Sequence, residues 1–283
     1  MTSSMPLAGE IVRPFADLSA WIRHFRAADI PVLRDTVEAI EALRENEDAT
    51  DANSIGELIG GDPLMTLKIL IYASAHRSRR VETSVETIIA ALVMMGIPPF
   101  FRAFSEQTSV EDRLDHDADA LDGVNRVLRR AYRGARFALA FAIHRTDPNA
   151  ATIHAAALLH EFAELLLWCH APQLALAIEK IQRDDVTVRS SAAQQQVLNI
   201  DLASLQEALI SAWQLPRLLS ETGREPQVAS TGARTVALSA RLARHTAIGW
   251  DNAAVPDDIT EISELLNLSV AATSHLAQGI DTE

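Results

Sequence analysis

Apolar residues recur at three- and four-residue steps from the start of the chain: Phe15, Leu18, Ile22 and Phe25 share one helical face. Ile30-Pro31 closes that segment. Leu33, Val37 and Ile40 begin a second helix that ends in the polar run from Glu45 to Asn53. Ser54 and Glu57 form an S-x-x-E capping box, so a short helix is expected to start there. Asp62-Pro63 is a second start signal, with Asp as the N-cap and Pro at the first helical position, where its missing N–H costs nothing. The helix that follows, Leu64 to about His76, is apolar on most sides, which predicts a central, well-buried element. Thr83 and Glu86 repeat the capping box before Ile88, Ile89, Leu92, Val93 and Met94, and Gly96 supplies a left-handed stop. Pro98-Pro99 is then expected to force a turn before Phe100, Phe101 and Phe104.

Between Glu106 and Asp122 acidic residues accumulate without apolar periodicity. This divides the chain into an N-terminal helical half (1–108), an acidic solvated connector (109–120) and a second helical half (121–283). A long helix is expected from about Leu121 to Arg145. Asp147-Pro148 opens another that carries Ile153, Ala157, His160 and Leu167. Further helices are expected near 172–182, 191–198, 201–214, 228–248, 258–266 and 269–278. No sustained apolar-polar alternation of strand type, heptad array or fixed-period repeat is present. The expected fold is all-α, with helix over well more than half the chain and no sheet beyond two short strands.

Composition agrees with that class: 48% of the 283 residues are apolar and 22% charged, the proportions of a packed chain rather than a disordered one. A net charge of -13 argues against generic attraction to nucleic acid, which draws on clustered Lys and Arg. The single cysteine, Cys169, cannot form an intramolecular disulfide, and no charged leader with an apolar stretch opens the sequence. The longest apolar stretches are interrupted before the roughly 18–20 residues that span a bilayer. These features predict a cytoplasmic protein without a membrane span.

Three blocks carry a resemblance. Ser54-Ile-Gly-Glu-Leu-Ile-Gly-Gly-Asp-Pro-Leu-Met-Thr-Leu-Lys-Ile-Leu, followed by Val85-Glu-Thr-Ile-Ile-Ala-Ala-Leu-Val-Met-Met-Gly, is the first. Ala157-Leu-Leu-His160-Glu161-Phe-Ala-Glu is the second and Trp213-Gln-Leu-Pro216 the third. In order and separation they resemble the HDOD family of bacterial signalling domains over roughly Ile30 to Pro226. The resemblance implies an N-terminal helical bundle packed on a half like that of the HD superfamily, whose members hydrolyse phosphate esters with metals held by histidines and aspartates.

Matched residue by residue, that ligand set is degraded here. The family's His-Asp pair falls on His160 and Glu161, whose extra methylene displaces the carboxylate by about one bond length in a site that tolerates small errors only. A histidine at the start of the long helix corresponds to Arg130, and an Asp-His pair to Asp201-Leu202. After Trp-x-Leu-Pro the family's His-His pair is absent, since the chain reads Glu221-Thr-Gly-Arg-Glu-Pro226. His160, Glu161 and Asp201 are therefore vestigial positions, and neither a metal nor another cofactor is expected. Cys169-His170 is not a ligand pair, because adjacent helical residues point about 100° apart.

One feature lies outside the resemblance. Arg126, Arg129, Arg130 and Arg133, with Arg136 beyond, line one broad face of the long helix. Arg grips phosphate and carboxylate bidentately, so the stripe suits an anionic ligand or an acidic partner. As a solvated face it would instead be neutralised by Glu111, Asp112, Asp115, Asp117 and Asp119 of the connector, each exposed pair being worth a fraction of a kcal/mol. The resemblance implies a non-catalytic regulatory module acting through a protein partner. The alternatives are a divergent metal-dependent phosphohydrolase of a nucleotide or cyclic dinucleotide, and a cleft that binds a nucleotide without turnover.

Overall fold

Asp62 shows how local sequence sets the framework. In the computed structural model, which describes residues 10–76, 85–223 and 228–282, its buried carboxylate accepts from the N–H groups of Leu64 and Met65 at 2.8 and 3.1 Å. Its other oxygen accepts from Leu33 N–H at 2.7 Å and Thr36 Oγ1 at 2.9 Å. One side chain thus ties the starts of two helices together. Burial raises its pKa above the ordinary carboxylate range, against the pull of those four hydrogen bonds.

The chain begins with α1 (Leu18–Ala27), α2 (Arg34–Arg44), α3 (Ala52–Ile59) and α4 (Pro63–Ala75). The start of α3 lies ahead of the expected box: Asp51 is the N-cap, and Ser54 donates to it from both N and Oγ, at 2.8 and 2.9 Å. Aspartate in the cap position outcompetes a serine that lies inside the first turn. α5 (Ile88–Met95) is capped by Thr87, whose hydroxyl accepts from Ala90 N–H, and the box expected at Thr83 lies outside the described residues. Gly96 stops α5 with φ of 84°, as expected. Pro98 and Pro99 do not make a turn but open α6 (Ile97–Phe104), because their fixed φ suits a first turn whose N–H groups have no intrahelical partner anyway.

α7 (Val110–Arg113) falls within the segment read as a connector, and Val110 and Leu114 there are buried in the main core. The 27-residue α8 (Ala118–His144) follows, starting at the Asp117 cap. α9 (Ala150–Leu158) begins after Asn149, two residues beyond the Asp-Pro signal, since Asp147 spends its carboxylate on Asn149 N–H. The chain breaks before α10 (Phe162–His170), so His160 and Glu161 sit at a corner rather than within one continuous helix. The rest is α11 (Pro172–Asp184), α12 (Ser190–Leu198), α13 (Leu202–Ala212), α14 (Arg217–Glu221), α15 (Thr231–His245), α16 (Val255–Leu266) and α17 (Val270–Thr282). The fold is all-α. Among the described residues the only β pairing is an isolated parallel bridge between Val32 and Ser109.

The even apolarity of α4 is explained by two cores that share it. Leu64, Leu67 and Leu70 face the main core with α1, α8, α9, α10 and α13. Met65, Ile69 and Ala73 face a second core built with Ile40, Ile55, Ile59, Phe100 and Phe104. α8 is shared in the same way, because Phe137 and Phe141 join a third core with α15, α16 and α17. α1 packs on the later half of the chain: Trp21 is fully buried and its indole N–H donates to Leu198 O at 3.1 Å. The segment Ala150–His170 is long and apolar enough to cross a membrane by length and composition, but it contains the α9–α10 break and 56% of its apolar window is buried inside the fold.

Asp62→Ala would strip four donors of their acceptor, two of them in the buried first turn of α4. The expected loss is about 2–4 kcal/mol in denaturant unfolding, and Asp62→Asn, which retains one acceptor oxygen, should lose visibly less. Equal losses in the two variants would show that the carboxylate's acceptor capacity does not hold α2 to α4.

Candidate functional site

The corner between α9 and α10 is fixed through its backbone. Gln206 on α13 donates to His160 O at 2.6 Å and accepts from Ala163 N–H at 3.4 Å. The Glu161 side chain, 9% exposed, is thereby held inside the fold. Arg130 Nε donates to its Oε2 at 3.0 Å, and Arg244 Nη2 on α15 donates to its Oε1 at 2.6 Å. Arg130 also reaches Glu164 Oε2 through Nη2 at 2.8 Å. Burial pushes the Glu161 carboxyl up, but Arg130 and then Arg244 outweigh it and hold the group below its ordinary range.

His160 stands beside this ion triad. Its Nδ1 is buried without a hydrogen-bond partner, and burial lowers the ring's pKa, which keeps the imidazole neutral near pH 7. Asp201 is used elsewhere: it caps α13, accepting from Ser204 N and Oγ, both at 2.8 Å. Leu202, which the resemblance aligns with a family histidine, lines the cleft with an apolar side chain.

A metal needs several converging donors with free lone pairs. Both Glu161 oxygens are bonded to guanidinium groups, Asp201 is committed to a helix cap, and Arg130 brings a permanent positive charge beside Glu161. Among the described residues no group of three or more His, Cys, Asp or Glu side chains could hold a metal ion. The residues present do not fit the family's metal centre. Cys169 is equally unsuited to chemistry, since burial pushes its thiol up to about 12 and its neighbour His170 down to about 3.

The arginine stripe is mostly spent inside the molecule. Arg126 reaches Glu179 Oε1 on α11 at 2.6 Å and lies 5.9 Å over the Trp168 ring. Arg133 grips both oxygens of Asp281 at 2.7 Å and also bonds Ala243 O, Thr246 O and Thr246 Oγ1. Arg136 donates to Ile280 O. Arg129 alone of the four is exposed with no partner among the described residues. The neutralising carboxylates are distant in sequence rather than those of the 109–120 segment, where Asp112 pairs with Arg34 and Asp117 caps α8. Arg133, 20% exposed and multiply bonded, is therefore not the weak surface pair that spacing suggested.

Sequence reasoning found His160, Glu161 and Arg130 but missed Arg244 and Gln206. Arg244 is 83 residues from Glu161, and no local pattern marks it as the second half of a charge pair.

The HDOD domain family matches residues 30–227 of the chain. Among solved structures, the fold is similar to the MmoQ response regulator from Methylococcus capsulatus, with a TM-score of 0.67 and 18% identity over 89% of this chain and 98% of that one. It is also similar to a virulence factor from Campylobacter jejuni, with a TM-score of 0.64 and 16% identity over 93% and 98% of the two chains. No curated protein matches the chain.

Arg130→Gln should destabilise the protein by about 3–5 kcal/mol at neutral pH, because Glu161 and Glu164 would lose a shared, largely buried cation. The folded-state pKa of Glu161 is depressed, so its contribution is present above the ordinary carboxylate range and lost as pH falls below it. The gap between wild type and variant in urea melts should accordingly narrow on acidification. A gap that stays constant as pH falls from neutral to well below the ordinary carboxylate range would rule out the ion triad as its source.

Proposed function

The chain belongs to the HDOD family, and within it we propose that this member is a non-catalytic signalling module that works through contact with a protein partner. The observation that carries the reading is the double engagement of Glu161. Arg130 occupies a ligand position of the related hydrolases and donates to one carboxylate oxygen, while Arg244 takes the other. A divalent cation would have to displace two guanidinium groups and then sit beside their charge, with the neutral His160 and Glu164, itself held by Arg130, as further donors. That competition for the Glu161 and Glu164 oxygens argues against a water-activating centre in this cleft.

A signalling role is supported by the family and by the kind of protein that shares the fold, a response regulator being one. A partner of protein chemistry suits a chain of net charge -13 better than nucleic acid does. The burial of the long apolar segment Ala150–His170 inside the fold argues against a membrane span there and suits a cytoplasmic setting.

Protein purified without chelator should contain no stoichiometric iron, manganese or zinc by elemental analysis, and should not hydrolyse phosphomonoesters or phosphodiesters. Affinity isolation from the native cell should recover a defined protein partner. Near-stoichiometric metal, with turnover that disappears in His160→Ala, would replace this reading with that of a divergent phosphohydrolase.

A further inference from the structure

α17 is held by less than its length suggests. Of its 13 residues only Thr273 and Ala277 are buried, with Leu276 and Ile280 half-buried beside them against the third core. The Thr273 hydroxyl is enclosed there with no hydrogen-bond partner among the described residues, which penalises the docked position and not an undocked one. Gly279 lies on the outer side, where an added Cβ would meet nothing within 4 Å, so no close packing offsets the weakening that glycine brings to a helix interior. The β-branched Val270, Thr273 and Ile280 add little helix preference of their own.

What fastens the helix is its last turn. Asp281 accepts from Arg133 Nε and Nη2 on α8, both at 2.7 Å, and from the Trp250 indole N–H at 3.1 Å, while Arg136 donates to Ile280 O. A negative charge at a helix C-terminus opposes the helix dipole, so Asp281 weakens α17 as a helix on its own. Its stabilising contribution therefore lies in the two-pronged contact with α8. Arg133 also bonds Ala243 O, Thr246 O and Thr246 Oγ1, so it keeps α8 tied to the end of α15 when Asp281 leaves. α17 packs on α8 and α16 and is joined to α16 by residues 267–269, where Asn267 has φ of 54°.

We propose that α17 is a releasable strap, which opens from α8 and α16 about residues 267–269 while the rest of the fold stays closed, and that the Asp281–Arg133 contact sets the balance between the two positions. An element with few buried apolar contacts can open below the cost of global unfolding. Opening uncovers the edge of the third core that Leu276, Ala277 and Ile280 cover, with Arg133 and the Trp250 indole released beside it. The inference stands apart from how the cleft at Glu161 is used.

Amide hydrogen exchange of the full chain, read by mass spectrometry, tests the strap through two substitutions of opposite expected sign. In the unaltered protein the amides of residues 274–282 should be protected at least tenfold less than those in the buried middle of α8. Asp281→Ala should lower α17 protection a further tenfold or more while α8 and α15 exchange as before. Alanine favours a helix and removes the charge that opposes the dipole, so that loss would come from the broken contact. Gly279→Ala should raise α17 protection by about fivefold. Equal protection of α17 and α8 in the unaltered protein would overturn the proposal, because the helix would then open only with the whole fold. Unchanged α17 protection in either variant, or a loss in Asp281→Ala shared equally by α8 and α15, would overturn it as well.

Discussion

A carboxylate at a helix break inside a protein is tolerated only if its charge is met, and the corner at Glu161 depends on two guanidinium groups meeting it. Their donors come from α8 and α15, so the compensation also decides which elements are held together around the cleft. A divalent ion would bring a charge of +2 to this position. Arg130 and Arg244 together bring the same charge on side chains that cannot coordinate or polarise water. The two guanidinium groups therefore meet the charge of the corner by themselves.

The helical framework was legible wherever a local physical rule had no rival. Asp62-Pro63 starts α4 because the cap and the fixed φ act in the same direction. The uniform apolarity of α4 pointed to burial on all sides, and the structure supplies the reason in two cores that share one helix. Where two local rules competed, the reading slipped by a residue or two. Asp51 captured the start of α3 from Ser54, and Pro98-Pro99 served as a helix opening rather than a turn. The α9–α10 break was invisible to periodicity, because the apolar spacing continues through it while Gln206, from a distant helix, fixes the corner's backbone.

The candidate site was legible only in part, for a different reason. His160, Glu161 and Arg130 could be placed because the family resemblance aligns them. Asp201 could be named but not placed: whether it faces the cleft or caps its own helix depends on the two bonds it makes to Ser204. Arg244 carries no motif, and its role exists only because α15 packs against α8. Long-range charge pairs of this kind are created by tertiary structure, and spacing rules within one helix cannot announce them.

The arginines of α8 illustrate the same limit from the other side. Read along the helix they form a concentrated positive stripe, and a stripe suggests an external partner. In three dimensions Arg126, Arg130 and Arg133 lie on successive turns, and each turn meets a different neighbour: Glu179 on α11, the Glu161–Glu164 pair at α10, and Asp281 on α17. Such partly buried pairs are worth more than exposed ones, because solvent screens them less and their hydrogen bonds are fixed by packing. The row therefore works as a set of internal ties that seat three helices against one long one. Arg129, the member that points outward, is left as an isolated surface charge.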